Sequence, residues 1–374
     1  MALRKGAMED LVLAPYLKEA LRGRSVFVTG HTGFKGSWLC LWLHALGARV
    51  SGFGMPAPTQ PSNFGASGVR EILANHEEGD VRDAVALTRA IKQAAPDVVL
   101  HLAAQPLVRE SYARPRDTFE VNVIGTAGVL DAVRTLARPC VTIVATSDKC
   151  YENREQEAGY RENDPMGGSD PYSASKGAAE LLVASYRRSF FAPPKLSEHG
   201  VQLASVRAGN VIGGGDWAKD RIVTDLVSHL SAGKDVPLRN PNAIRPWQHV
   251  LEPLSGYLFL VARMLKEPHA RWCTGWNFGP YTGEEARVGE LVELFCRAWG
   301  AGQGRDVSTP GQLHEAGILR LNIDNAATVL GWKPRWNLET TVQRTAAWYQ
   351  RYHRDRQASM RSACLEDLAA YGGI

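Results

Sequence analysis

Over roughly its first 210 residues the chain alternates between two hydrophobic patterns. Short apolar runs at Val26–Thr29, Arg49–Met55, Asp97–Ala104, Val141–Thr146 and Leu203–Ala208 have strand length but no two-residue alternation. Such runs predict parallel strands covered on both faces. Between them Trp38–Leu46, Ala84–Ala94, Gly125–Ala137 and Ala174–Arg188 place apolar residues at helical spacing. The order βαβα predicts an α/β fold with a doubly wound parallel sheet. A helical lead-in, residues 1–22, precedes it. Beyond Asn210 the pattern breaks into loops rich in Gly, Pro and Trp (Gly213–Trp217, Pro237–Trp247, Trp272–Gly283), with helical stretches at Val223–Leu230, Val288–Trp299 and Leu338–Tyr352. A smaller, mixed second domain is expected there.

Composition narrows the field. The 374 residues, 44% hydrophobic and 22% charged, exclude disorder and fibrous structure. No apolar stretch approaches the roughly 18 residues of a membrane span. Met1–Gly6 holds a basic pair with no apolar stretch behind it, so no secretory signal is expected and the cytoplasm is the expected location. The six cysteines are widely separated and form no CxxC, and the ten histidines are scattered, so neither a disulfide framework nor a metal site is expected. A net charge of +4, with the signs mixed along the chain, argues against nucleic acid as a partner.

The first strand ends in Gly30-His31-Thr32-Gly33-Phe34-Lys35-Gly36, which opens the following helix. Glycines here let a pyrophosphate approach backbone N–H groups at a helix N-terminus. This makes the fold Rossmann-type, with Gly30, Thr32, Gly33, Phe34, Lys35 and Gly36 as cofactor residues. Asp80 and Val81, and Leu102, Ala103, Ala104 and Gln105 at a strand end, suit the rest of a dinucleotide groove. For Asp80, a helix cap before Ala84 is an equal alternative. The second strand ends without the Asp or Glu that binds the ribose hydroxyls of NAD. NAD is the expected cofactor, but this absence leaves NADP open, and Lys35 and Arg49 are candidates for a 2′-phosphate, Arg49 equally for solvated surface charge.

Tyr172 and Lys176 share one face of a helix that Asp170 and Pro171 mark as starting there. An ammonium near the phenol favours phenolate, a base for an alcohol proton. At the end of the Val141–Thr146 strand stands Thr146-Ser147-Asp148-Lys149, where Ser147 suits the same substrate hydroxyl. The glycine loop, this strand end, the YxxxK pair, Asn122 in Val121–Thr126 and the late Leu330–Pro334 segment together resemble the extended short-chain dehydrogenase/reductase superfamily over nearly the whole chain. Simple epimerases of that superfamily have small or apolar residues after the catalytic Ser or Thr and its sugar dehydratases generally Asp-Glu, whereas the Asp148-Lys149 pair resembles that of its CDP-glucose 4,6-dehydratases. Val28–Trp38, Asp148–Tyr151, Gly159–Gly168 and Arg207–Trp217 resemble the same group.

That resemblance implies an NAD-dependent lyase of surface-polysaccharide dideoxyhexose synthesis, assembled as a homodimer or homotetramer and acting on a nucleotide sugar. It implies that Ser147 and Tyr172 handle the C4 hydroxyl and Lys176 supports Tyr172. Asp148 is then the acid at C6 and Lys149 the base at C5, and Thr146 and Asn122 join the cofactor site. Lys149 has an alternative reading, as a partner of Asp148 or a sugar-orienting group. Residues 23–211 are then the dinucleotide-binding domain with the catalytic groups, and 212–374 mainly the nucleotide-sugar domain. Asn210, Arg221, Arg239 and Arg245 are candidates for the substrate diphosphate, and Trp217 and Trp247 for stacking on the base. The alternatives are a GDP- or dTDP-sugar dehydratase, a UDP-sugar 4-epimerase, and a non-catalytic dinucleotide sensor.

Overall fold

The computed structural model describes residues 12–308 and 317–374; the first eleven residues, with the start that bears on the signal, lie outside them. Seven parallel strands form the central sheet: β1 (Ser25–Thr29), β2 (Arg49–Gly54), β3 (Asn75–Glu78), β4 (Val98–His101), β5 (Cys140–Ala145), β6 (Val201–Ala208) and β7 (Gly275–Phe278). Their spatial order is β7-β6-β5-β4-β1-β2-β3. The order reverses between β1 and β4, and ligands of such sheets bind beyond the strand ends at that point.

The missing two-residue alternation has a direct cause. Val26 and Val28 face one core while Phe27 faces the other, and Leu100 and Val99 divide in the same way. Each strand must therefore be apolar on both sides. One face is covered by α1 (Leu13–Leu21), α2 (Phe34–Ala45) and α7 (Leu251–Lys266), with Trp38 and Trp42 fully buried. The other is covered by α3 (Ala84–Ala94), α4 (Gly125–Arg134) and α5 (Pro171–Ser189). The later part of the chain adds α6 (Ile222–Ser231), α8 (Val288–Trp299), α9 (Leu338–Arg354) and α10 (Arg361–Ala370).

Two strands escape the hydrophobic pattern. Asn75–Glu78 is polar because β3 is an edge strand, part-exposed along its length. Gly275–Phe278 lies far along the sequence yet pairs with β6 and completes the sheet. With α7 it belongs to the layered platform, so residues after 212 contribute to the core as well as to the irregular lobe.

Glu252, in the first turn of α7, pins the C-terminal segment to this platform. Its buried carboxylate accepts hydrogen bonds from the backbone N–H of Trp336 at 2.7 Å and of Arg335 at 3.1 Å, and from the Tyr371 hydroxyl at 2.7 Å. Burial pushes the acid up to about 7 against these donors. Glu252→Ala leaves them buried and unpaired, so it should cost about 3 kcal/mol of stability. A thermal scan checks this; an unchanged Tm would refute the clamp.

Candidate active site

The loop after β1 closes on itself before α2 begins. Gly30 has φ +72°, and a Cβ there would lie 2.7 Å from the Ala103 nitrogen; a Cβ on Gly36 would lie 2.1 Å from the Gly30 oxygen. These two glycines are required by the protein's own packing. Gly33 differs, since its nearest neighbour would be 3.4 Å away and it lines the cavity, leaving its open side to a ligand. Thr32 donates to the Met55 oxygen at 2.8 Å and ties the loop to the segment after β2.

Over this loop lies a cavity of about 1290 Å³. Single small-molecule sites enclose roughly 300–1,000 Å³, so there is room for two ligands side by side. Its wall includes Gly30, Thr32, Gly33, Phe34, Lys35 and Gly36 from the loop, then Asp80, Val81, Leu102, Ala103, Ala104 and Gln105. Thr146, Ser147, Asp148, Lys149, Tyr172 and Lys176 follow, and Asn210, Trp217, Arg221, Arg239, Arg245 and Trp247 line the far side.

Asn122 is the exception, because it is buried behind the wall. Its Oδ1 accepts from the Gln105 N–H at 2.9 Å, and its Nδ2 donates to the Gln105 oxygen at 3.1 Å and to Ser175 Oγ at 2.8 Å. It braces Gln105 against α5 and so shapes the cofactor groove from behind. Arg49 also departs from expectation. It is exposed at the start of β2, whereas the cavity lies beyond the strand ends, so it cannot meet a 2′-phosphate. The Lys35 ammonium donates to the Tyr257 hydroxyl at 3.0 Å and is directed to the catalytic groups.

The cap of α3 is Asp83, whose Oδ1 accepts from Val85 and Ala86 N–H at 3.1 and 3.0 Å. That leaves Asp80 on the cavity wall, held by the Arg82 guanidinium, which lowers its pKa. Around the end of β2 the wall is Gly54, Met55, Pro56, Pro58, Thr59 and Ser62; among the described residues β2 contributes no carboxylate to it.

The candidate catalytic groups converge through close backbone packing. Ser147 stands two residues beyond the end of β5 and its Oγ accepts from the Lys149 N–H at 3.2 Å, forming a tight turn over Asp148–Cys150. Asp170 starts α5 by accepting from the Ser173 N–H at 2.9 Å, with Pro171 in the first turn. A Cβ on Gly177 would lie 3.0 Å from the Cys150 oxygen, so α5 lies against that turn. Tyr172 and Lys176, one helical turn apart, thereby face Ser147 and Asp148.

Asp148 is 2% exposed; its Oδ1 accepts from Ser147 Oγ at 3.0 Å, and among the described residues its Oδ2 has no hydrogen-bond partner. Burial raises its pKa, against the charges of Lys149 and Arg245, and so favours the protonated acid. Burial likewise lowers Lys176 to about 8, opposed by Glu180 one turn on. It raises the Tyr172 hydroxyl, opposed by Ser147 and by the charge of Arg221. The arginine expected to serve the substrate phosphates thus also acts on the Tyr172 phenol.

On the far side Arg221 donates to the Pro106 oxygen at 3.2 Å, and Arg239 pairs with Asp220 at 3.5 Å. Arg245 is 7% exposed and donates to the oxygens of Ile244 and Gly317 at 2.9 and 3.2 Å. Trp217 packs edge-on against Trp348, Tyr349 and Tyr352, and Trp247 donates to the Ala286 oxygen at 3.1 Å. Both indoles reach the wall from positions set by core packing.

Glu180 is the residue that motif reading missed. Fully buried, it accepts from Ser205 Oγ at 2.7 Å and from Arg207 at 2.8 Å, and also from Thr146 Oγ1. Its place four residues after Lys176 on the same helical face was the available signal.

The raised acid at Asp148 has a stability signature. The fold favours its neutral form, so stability is fullest below the unfolded carboxylate value, about 3.9, and is lost as pH rises through the folded value. Asp148→Asn should raise Tm near pH 8, with the gain vanishing near pH 4, while turnover is lost. Scanning both proteins at the two pH values checks this; an equal Tm near pH 8 would refute it.

A family model described as GDP-mannose 4,6 dehydratase matches residues 27–345. The chain is 48% identical over 337 residues to CDP-glucose 4,6-dehydratase of Salmonella typhimurium, covering 90% of this chain and 93% of that protein. It is 25% identical to a dTDP-glucose 4,6-dehydratase of Xanthomonas campestris, covering 86% of this chain and 92% of that protein. Among solved structures, dTDP-glucose 4,6-dehydratase of Bacillus anthracis in complex with NAD superposes with TM-score 0.71 at 20% identity, covering 88% of this chain and 97% of that one. The epimerase Mth375 of Methanothermobacter thermautotrophicus superposes with TM-score 0.75 at 22% identity, covering 93% and 98%. These two likenesses establish the fold. With a model match over most of its length and a relative at 48% identity, the chain belongs to the nucleotide-sugar dehydratase family that the GDP-mannose 4,6 dehydratase model describes.

Proposed function

We propose that the protein is an NAD-dependent CDP-glucose 4,6-dehydratase, converting CDP-D-glucose to CDP-4-keto-6-deoxy-D-glucose and water. The observation that carries this is one cavity holding Ser147, Asp148, Lys149, Tyr172 and Lys176, with Asp-Lys directly after the serine. The Salmonella relative with that activity supports the choice of nucleotide.

The dinucleotide site fits the residues present. The α2 N-terminus presents its first-turn N–H groups, Gly33 is open on the cavity side, and Asp80, Ala103 and Gln105 continue the groove. When bound, NAD supplies an acceptor for the C4 hydride and the source of the hydride at C6. Ser147 holds the C4 hydroxyl and Tyr172 takes its proton, with the Lys176 and Arg221 charges favouring the phenolate. The 4-keto group makes the C5 proton acidic, and Lys149 is the group we assign to remove it. Protonated Asp148 delivers its proton to O6, so that water leaves C6. Arg221 and Arg245 receive the substrate diphosphate, and Asn210 and Arg239 border it.

Incubation with CDP-, dTDP-, GDP- and UDP-glucose should give the alkaline absorbance of a 4-keto-6-deoxy sugar with the CDP substrate foremost. Tyr172→Phe should reduce turnover by about a thousandfold or more while keeping cofactor affinity. No keto sugar from CDP-glucose, with UDP-galactose formed from UDP-glucose, would replace this reading by a 4-epimerase.

We also propose a homodimer through α4 and α5. Ile124, in the turn that leads into α4, and Leu181, on α5, are 61% and 60% exposed, with Phe119 and Phe190 also exposed. Leu181→Glu should convert a dimer to monomers in light scattering; a monomeric wild type would refute this interface. The six cysteines are buried free thiols, which accords with placement in the reducing cytoplasm.

A further inference from the structure

Lys35 stands at the second residue of α2, behind the N-terminus that receives an anion, yet its ammonium is directed elsewhere. It donates to the Tyr257 hydroxyl at 3.0 Å and lies 5.1 Å from that ring's centroid. Tyr257 is buried in α7 within electrostatic range of Asp148 and Tyr172, and Lys35 is within range of Lys176, Arg221 and Asp148. One side chain thus spans from the pyrophosphate loop to the groups that handle C4, and it lines the cavity between them. A dinucleotide laid from that loop to those groups carries its nicotinamide end past this ammonium. The oxidised ring is cationic and the reduced ring neutral, so a neighbouring fixed cation discriminates between the two.

We propose that Lys35 places a positive charge beside the reactive end of the cofactor and so favours its reduced form, driving the opening oxidation of the sugar. The inference rests on the dehydratase reading above. With NAD bound, the hydride leaving C4 would pass to the nicotinamide and the O4 proton to Tyr172, so the ring charge would disappear as the keto group forms. A cation nearby is relieved of a like-charge contact at that moment. Burial and the charges of Lys176 and Arg221 hold Lys35 down to about 7 in the protein itself. An anionic pyrophosphate at the α2 N-terminus acts in the opposite sense and keeps the ammonium protonated.

Cofactor binding tests this apart from turnover. Wild type, Lys35→Met and Lys35→Arg are titrated with NAD+, NADH and NADP+, followed by protein and nicotinamide fluorescence. Lys35→Met should tighten NAD+ relative to NADH by on the order of tenfold, as expected for removing a like charge at close range, and Lys35→Arg should keep the wild-type ratio. A parallel loss of affinity for NAD+ and NADH would make Lys35 a pyrophosphate contact and overturn the proposal. An unchanged ratio, or an effect confined to NADP+, would overturn it as well. Absence of 4-keto product from CDP-glucose would instead overturn the dehydratase reading, with the binding ratio measured independently.

Discussion

Glu180 and Arg207 meet at 2.8 Å with only 4% and 5% of their side chains exposed, and the catalytic face is assembled around that contact. Burying two charges is expensive unless their remaining hydrogen-bonding capacity is filled. Here Glu180 also accepts from Thr146 and Ser205, and Arg207 also donates to the Tyr151 hydroxyl and the Glu162 oxygen, leaving Arg207 Nε without a hydrogen-bond partner among the described residues. The pair therefore joins α5, the end of β5, β6 and the segment around Glu162. A Cβ on Gly275 would lie 2.4 Å from the Arg207 guanidinium, so β7 leaves room for it. Thr146 precedes Ser147 and Lys176 lies one turn before Glu180; the same carboxylate thus sets the two halves of the catalytic constellation and opposes the loss of charge at Lys176.

Burial is the common electrical condition of the site. It keeps Asp148 toward the acid, lowers both Lys35 and Lys176 and raises Tyr172. Burial by itself moves each group toward its neutral form, which suits the acid role of Asp148, whereas Tyr172 and Lys35 depend on neighbouring charges to oppose it. The cations then matter as a set. Arg221, drawn toward the catalytic centre by Pro106, acts on Tyr172 and Lys35 together.

Much of this architecture was legible in the chain. The five short apolar runs became strands because each needs two covered faces, and the glycine loop and YxxxK pair became wall residues of one cavity. The polar edge strand Asn75–Glu78 and the late strand Gly275–Phe278 were not legible, since one has no buried face to advertise and the other is recruited from a distant segment. Asn122 was recognised by type but not by place, because a buried amide that braces Gln105 leaves the same trace in sequence as one that touches a ligand.

The chain by itself determined the parallel sheet, the anion loop, the helix that pairs Tyr172 with Lys176 and the acid–amine pair after Ser147. These follow from periodicity, capping and short-range spacing, which are local properties. Only the tertiary structure decided where the charges point. It turned Lys35 from the adenosine end toward Tyr257, left Arg49 on the wrong end of its strand, brought Arg221 onto the catalytic phenol and buried Glu180 behind it. A long flexible side chain carries no direction in sequence. Its direction is set by the partners and the desolvation it meets after the elements have packed.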